Sequence, residues 1–233
     1  MKHAEIAFQD ESLLVKWLPG TSRHLVLAFT GIQHGLGGLP QDEFIGSASD
    51  NTRNHVLFIS DLKRTWYSSL HLVDKVVETV KSFIAKHNIA KTTAIGNSMG
   101  GYGAILFAAH LPVQKVIAFA PQISMHPDVL LETRWIECRA HFGPVLPVSV
   151  CPSIEGSSTR FFLFFGAESQ ADAAQAALLP TVANLSVFTL HKCGHDVAAF
   201  LKKAGLLRPV LTSIFHSKGA GLNGLLKGKV AHG

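Results

Sequence analysis

The sequence predicts one α/β domain: a three-layer α/β/α sandwich with an eight-stranded, mostly parallel sheet between two layers of helices. Three observations point there. Short apolar runs recur with amphipathic stretches between them. The later runs, among them VLFIS, VIAFA and FFLFF, are continuous rather than alternating, as expected of parallel strands covered on both faces. One run ends in a glycine-rich turn that opens at once into another apolar stretch, AIGNSMGGYGAI.

Strands are expected at residues 4–8, 13–18, 25–30, 56–60, 92–96, 116–120, 161–165 and 185–190. The first two, joined by Gln9-Asp10-Glu11-Ser12, read as a hairpin on the sheet edge. Helices are expected at 70–87, 99–110, 129–141, 171–182, 197–204 and 210–216. The first carries Leu72, Val73, Val76, Val77, Val80 and Ile84 on one stripe. Two connections, 31–55 and 121–160, exceed the usual length of about five residues and are the places where a binding crevice would be framed. The second has room for a small cap. Residues 1–217 thus form one domain, and 218–233 form a glycine-rich basic tail, expected to be frayed or loosely docked.

Composition narrows the classes. The chain of 233 residues is 47% hydrophobic and 16% charged, enough for one large core. No run approaches the roughly 18 apolar residues of a membrane helix, and the start shows no secretion signal. Three cysteines, Cys138, Cys151 and Cys193, fit reduced thiols in a cytoplasm. The net charge of +5 does not imply nucleic acid, because the last 37 residues hold six Lys and Arg and no acid, while the rest is close to neutral.

The glycines around Ser98 do not cradle a phosphate. A Walker loop needs Lys-Ser/Thr after its last glycine, and a dinucleotide fingerprint counted from Gly101 and Gly103 meets Leu106. What remains is Gly96-Asn97-Ser98-Met99-Gly100, a Gly-x-Ser-x-Gly at a strand-to-helix junction. A hydroxyl is a weak nucleophile and must protrude where a base reaches it. A strained sharp turn achieves this, and it leaves room only for small residues two before and two after the serine.

With that motif the chain resembles the α/β-hydrolase superfamily, of serine esterase and acyl-hydrolase type, from residue 4 to about 215. A second likeness, to bacterial hydrolases of unassigned activity with an aromatic pair after the fourth strand, rests on Asp61-Leu62-Lys63-Arg64-Thr65-Trp66-Tyr67. The resemblance implies a triad in the order serine, acid, histidine. It puts the base at His195, after the eighth strand, ahead of the strand-end His191. It puts the acid in the turn after the seventh strand, where the family's usual aspartate is replaced by Ser169. Glu168 is the first choice there and Asp172, at the expected start of a helix, the alternative. The backbone N–H groups of Met99 and Ile32 would form the oxyanion hole, Thr30 standing where the family often has histidine. Trp66 and Tyr67, with His34 and Phe44, are candidates to line the substrate pocket. A metal site at His191, Cys193 and His195 would lack a fourth ligand, and the chemistry needs no cofactor.

The expected function is therefore hydrolysis of a small acyl ester, thioester or amide. The alternatives are an acyltransferase or deacetylase acting on a polysaccharide, and a non-catalytic binding module of the same fold.

Overall fold

The computed structural model describes residues 4–32, 41–143, 145–217 and 219–230. All eight strands fall where the apolar runs put them: β1 (Glu5–Gln9), β2 (Leu13–Leu18), β3 (His24–Phe29), β4 (His55–Asp61), β5 (Lys91–Asn97), β6 (Lys115–Phe119), β7 (Arg160–Gly166) and β8 (Leu185–Leu190). They form one sheet in the order β1-β2-β4-β3-β5-β6-β7-β8. β2 runs antiparallel to β1 and β4, and every later pair is parallel.

The continuous strands are apolar because both faces are covered. In β3, Leu25, Leu27 and Phe29 enter one core while Val26 and Ala28 enter the other. In β7, Phe161, Leu163 and Phe165 alternate with Phe162 and Phe164 in the same way. Helices α1 (Ile45–Ala48), α2 (Leu72–Lys86), α3 (Met99–Leu106), α4 (Cys151–Glu155), α5 (Gln170–Ala176), α6 (Val197–Lys203), α7 (Leu207–Ser217) and α8 (Leu222–Leu225) supply the outer layers. α2, α3 and α4 pack on the first face, and α6, α7 and α8 on the second. Fully burying each such side chain is worth about 1.5–3 kcal/mol. Among the described residues no helix is long and apolar enough to cross a membrane.

Two expectations change and a third narrows. The helix foreseen over 129–141 is a series of turns closed by a short 3₁₀ helix, Ile136–His141. A helix would commit the Arg134 N–H to residue 130; here the Glu132 carboxylate accepts it at 3.0 Å. The helix foreseen over 171–182 ends at Ala176, ahead of Pro180, which cannot continue it. Of the two states expected for the tail, its described residues show the docked one: Leu222 and Leu226 are buried, Val230 bridges Leu190, and the Lys229 carbonyl accepts the His191 N–H at 2.7 Å. It covers part of the β8 edge that would otherwise present unpaired backbone groups.

Candidate active site

The Gly-x-Ser-x-Gly turn lies at the carboxyl end of β5. Ser98 has φ 54° and ψ −118°, outside the regions that L-residues favour, and sits directly before α3. Its N–H is pinned to the Phe119 carbonyl at the end of β6, at 2.8 Å. The two glycines are dictated by close approach. A Cβ on Gly96 would collide with the Gly100 carbonyl, and one on Gly100 with the Phe29 carbonyl.

His195 follows β8 and reaches back over the sheet end. Its Nε2 lies 3.2 Å from Ser98 Oγ, and its Nδ1 lies 2.8 Å from Asp172 Oδ1. Two loops meet to make this possible. Gly166 packs so closely on the backbone of Cys193 and Gly194 that a Cβ there would overlap their carbonyl oxygens. The Glu168 N–H binds the Cys193 carbonyl at 2.9 Å.

That packing corrects the choice of acid. Glu168 is bound by its backbone and its side chain is exposed, away from the imidazole. Asp172, only 1% exposed, makes the contact instead. Asp172 is the third residue of α5, whose N-cap Ser169 accepts the Asp172 N–H at 3.2 Å. In a capping box the carboxylate at this position turns back onto the cap; here it serves a histidine on another loop.

Arg134, from the 121–160 connection, shares the same carboxylate. Its Nη1 donates to Asp172 Oδ1 at 3.0 Å and lies 3.1 Å from His195 Nδ1. Buried Glu132 holds the guanidinium, accepting from Nε at 2.8 Å and also from Nη2. Burial alone would raise the Asp172 carboxyl, but the hydrogen bonds from His195 and Arg134 and the nearby guanidinium charge outweigh it, holding Asp172 below its ordinary value. Glu132 is likewise held low by Arg134 against the effect of burial. An ionised Asp172 accepts only, so the shared proton belongs to His195 Nδ1, and in the neutral imidazole Nε2 is then bare toward the serine.

A cavity of about 380 Å³ opens over Ser98, lined by Gly31, Ile32, Glu43, Trp135, His195 and Asp196 among others. Ile32 lines this cavity, and Met99 begins α3 directly after the serine. Trp66 and Tyr67 do not line the cavity. Both are fully buried, Trp66 against Trp135 and Phe142, Tyr67 with its hydroxyl donating to the Thr30 and Ile59 carbonyls. Phe44 stacks on Phe119 and lines a neighbouring cavity of about 880 Å³; His34 lies outside the described residues. Cys193 is buried, with its thiol pushed up to about 11 by burial and by nearby acids, and His191 is exposed, so neither joins the His195 ring. Arg134, Glu132 and Trp135 belong to the site without a signal in the sequence, as does Gln122, which donates from Nε2 to Ser98 Oγ at 3.0 Å.

No protein-family model matches the chain, and no curated protein matches it in sequence. Solved structures match its shape. A chain of the glycosylation associate protein complex from Streptococcus agalactiae superposes with TM-score 0.62 at 16% identity, covering 89% of this chain, which spans only 45% of that one. The capsule O-acetyltransferase of Neisseria meningitidis serogroup A gives 0.62 at 13% identity, covering 88% of this chain and 93% of that one. A thermophilic esterase from Thermogutta terrifontis gives 0.58 at 13% identity, covering 91% and 94%. The chain has the α/β-hydrolase fold.

Proposed function

We propose that the protein is a serine hydrolase that cleaves a carboxylic ester, or a thioester or amide, through an acyl-enzyme on Ser98. The observation that carries this reading is the unbroken chain from Ser98 Oγ to His195 Nε2 at 3.2 Å and from His195 Nδ1 to Asp172 at 2.8 Å. Ser98 Oγ attacks the acyl carbon as its proton passes to His195, which returns that proton to the leaving group. Asp172 fixes the imidazole tautomer and offsets its positive charge. Water then repeats the sequence on the acyl-enzyme. The Met99 and Ile32 N–H groups receive the oxyanion, each such donor being worth about 3 kcal/mol of barrier.

The cavity narrows the substrate. Glu43 and Asp196 line it, and no Lys or Arg does among the described residues. Two carboxylates beside the serine disfavour an anionic acyl group, so the reading is of a neutral, short acyl chain. Acyl transfer to a sugar hydroxyl is the second reading, favoured by the likeness to the capsule O-acetyltransferase across nearly the whole of both chains. Both use the same acyl-enzyme and differ in what takes the acyl group.

Wild type should label with a fluorophosphonate and hydrolyse p-nitrophenyl acetate, and Ser98→Ala should do neither. An unlabelled wild type would leave a non-catalytic binding module. Adding saccharide acceptors separates the two catalytic readings, since transfer yields acetylated sugar in place of acetate.

A further inference from the structure

Ser98 Oγ has a second polar side chain against it. Gln122, fully buried just beyond the carboxyl end of β6, donates from Nε2 to Ser98 Oγ at 3.0 Å. Its Oε1 accepts the Trp66 Nε1–H at 3.2 Å. An indole nitrogen donates and has no lone pair to offer, so the amide oxygen must face Trp66. The NH₂ group must then face the serine, because the opposite orientation would set two donors against each other. Ser98 Oγ therefore receives a proton on one side. On its other side stands His195 Nε2, left bare by the Asp172 contact.

We propose that Gln122, oriented by Trp66, is a positioning residue that commits the Ser98 hydroxyl proton to His195 before substrate arrives. The proposal deepens the serine-nucleophile reading and rests on it. When Oγ bonds the acyl carbon, the hydroxyl proton moves to Nε2 and the carbonyl π pair moves onto the carbonyl oxygen. The Gln122 N–H stays on Oγ throughout, so the serine does not have to find a new orientation in the attack.

The support behind Trp66 is itself built. Asp61, fully buried at the end of β4, accepts the N–H groups of Lys63, Thr65 and Tyr67 at 3.1, 2.7 and 3.0 Å and the Thr65 hydroxyl at 2.9 Å. Arg64, Trp66 and Tyr67 are held in left-handed backbone, at φ 53°, 52° and 60°. Non-glycine residues rarely stay there unless the surroundings hold them. The chain of constraint runs from Asp61 to the loop, from the loop to the indole, from the indole to the amide and from the amide to the hydroxyl. Trp66 thus bears on the reaction from behind the nucleophile.

The test is the second-order rate of fluorophosphonate labelling, with thermal denaturation on the same samples. Gln122→Leu removes the donor without adding a rival acceptor, and the rate should fall about tenfold. Gln122→Glu keeps the shape and still accepts from Trp66, but its carboxylate draws the Ser98 proton away from His195; labelling should fall about 100-fold, with melting lowered by the buried, unpaired charge. A purely structural role predicts the reverse order, since leucine leaves the buried indole N–H without a partner. Trp66→Phe frees the amide to turn and should slow labelling several-fold, which covers the case of a glutamate variant that does not fold. Gln122→Glu labelling as fast as Gln122→Leu, or Trp66→Phe labelling as fast as wild type, overturns the proposal while leaving Ser98 a nucleophile. A wild type that does not label overturns both.

Discussion

Ser98 is held by its immediate neighbours in sequence and by the ends of the two flanking strands. Asp172 is held by three segments that meet only in the folded chain: its own N-cap, the loop carrying His195, and Arg134 with Glu132 from the 121–160 connection. The serine's place is enforced by backbone volume, where a misplaced atom overlaps another. The carboxylate's place is enforced by polar contacts, each individually modest and dependent on the docking of a long connection. The first should therefore fail by unfolding and the second by loss of chemistry.

The largest effects sharpen that contrast. Gly100→Val puts a Cβ onto the Phe29 carbonyl, backbone against backbone, and no rotamer relieves it. We expect a loss of more than about 4 kcal/mol, read as failure to give a cooperative melt. Asp172→Asn should melt close to wild type yet lose about 10⁴-fold in p-nitrophenyl acetate turnover, because the amide no longer enforces the productive tautomer. Glu168→Gln should stay within about twofold of wild type, as its exposed side chain reaches nothing in the site.

The same contrast explains what could be read in advance. The strands were legible because burial on both faces writes an unbroken apolar run, as at Phe161 to Phe165. Ser98 was legible because Gly96 and Gly100 are a steric requirement two residues away on each side. His195 followed from position after β8. The acid was not readable to the residue: Asp172 looks like any carboxylate at a helix start, and only the backbone contact of Gly166 with Gly194 decides that it, and not Glu168, faces the ring. Arg134 and Gln122 carry no local signal, since their partners lie 38 and 24 positions away. Trp66 and Tyr67 stand out in the sequence as an aromatic pair, but the direction they face is set by the left-handed turn around Asp61.

Arg134→Met gives the next largest effect and a pH signature. It strands Glu132, 3% exposed, without its cation, and should cost about 3 kcal/mol at neutral pH. Asp172 and Glu132 sit below their ordinary values of 3.8 and 4.5, so the ion pairs stabilise the fold above those values. That stability is lost as pH falls through the lowered folded-state values. Wild type should thus weaken on acidification below about pH 4. In Arg134→Met the buried glutamate gains by protonating, and melting temperature should hold or rise over the same interval. Parallel curves for the two proteins would mean that Arg134 does not sustain the carboxylates.

A smaller effect than that of Arg134→Met asks which contact aims Asp172. Ser169→Ala removes the cap that accepts the Asp172 N–H and should cost about 1 kcal/mol. For a chain of this length that is a fall of about 2–4 °C in melting temperature. Turnover should drop less than about threefold, because Arg134 and His195 still hold the carboxylate from its other side. A loss approaching that of Asp172→Asn would reverse the order of dependence. The hydroxyl at 169 would then be the element that directs the carboxylate, and Arg134 would be following it.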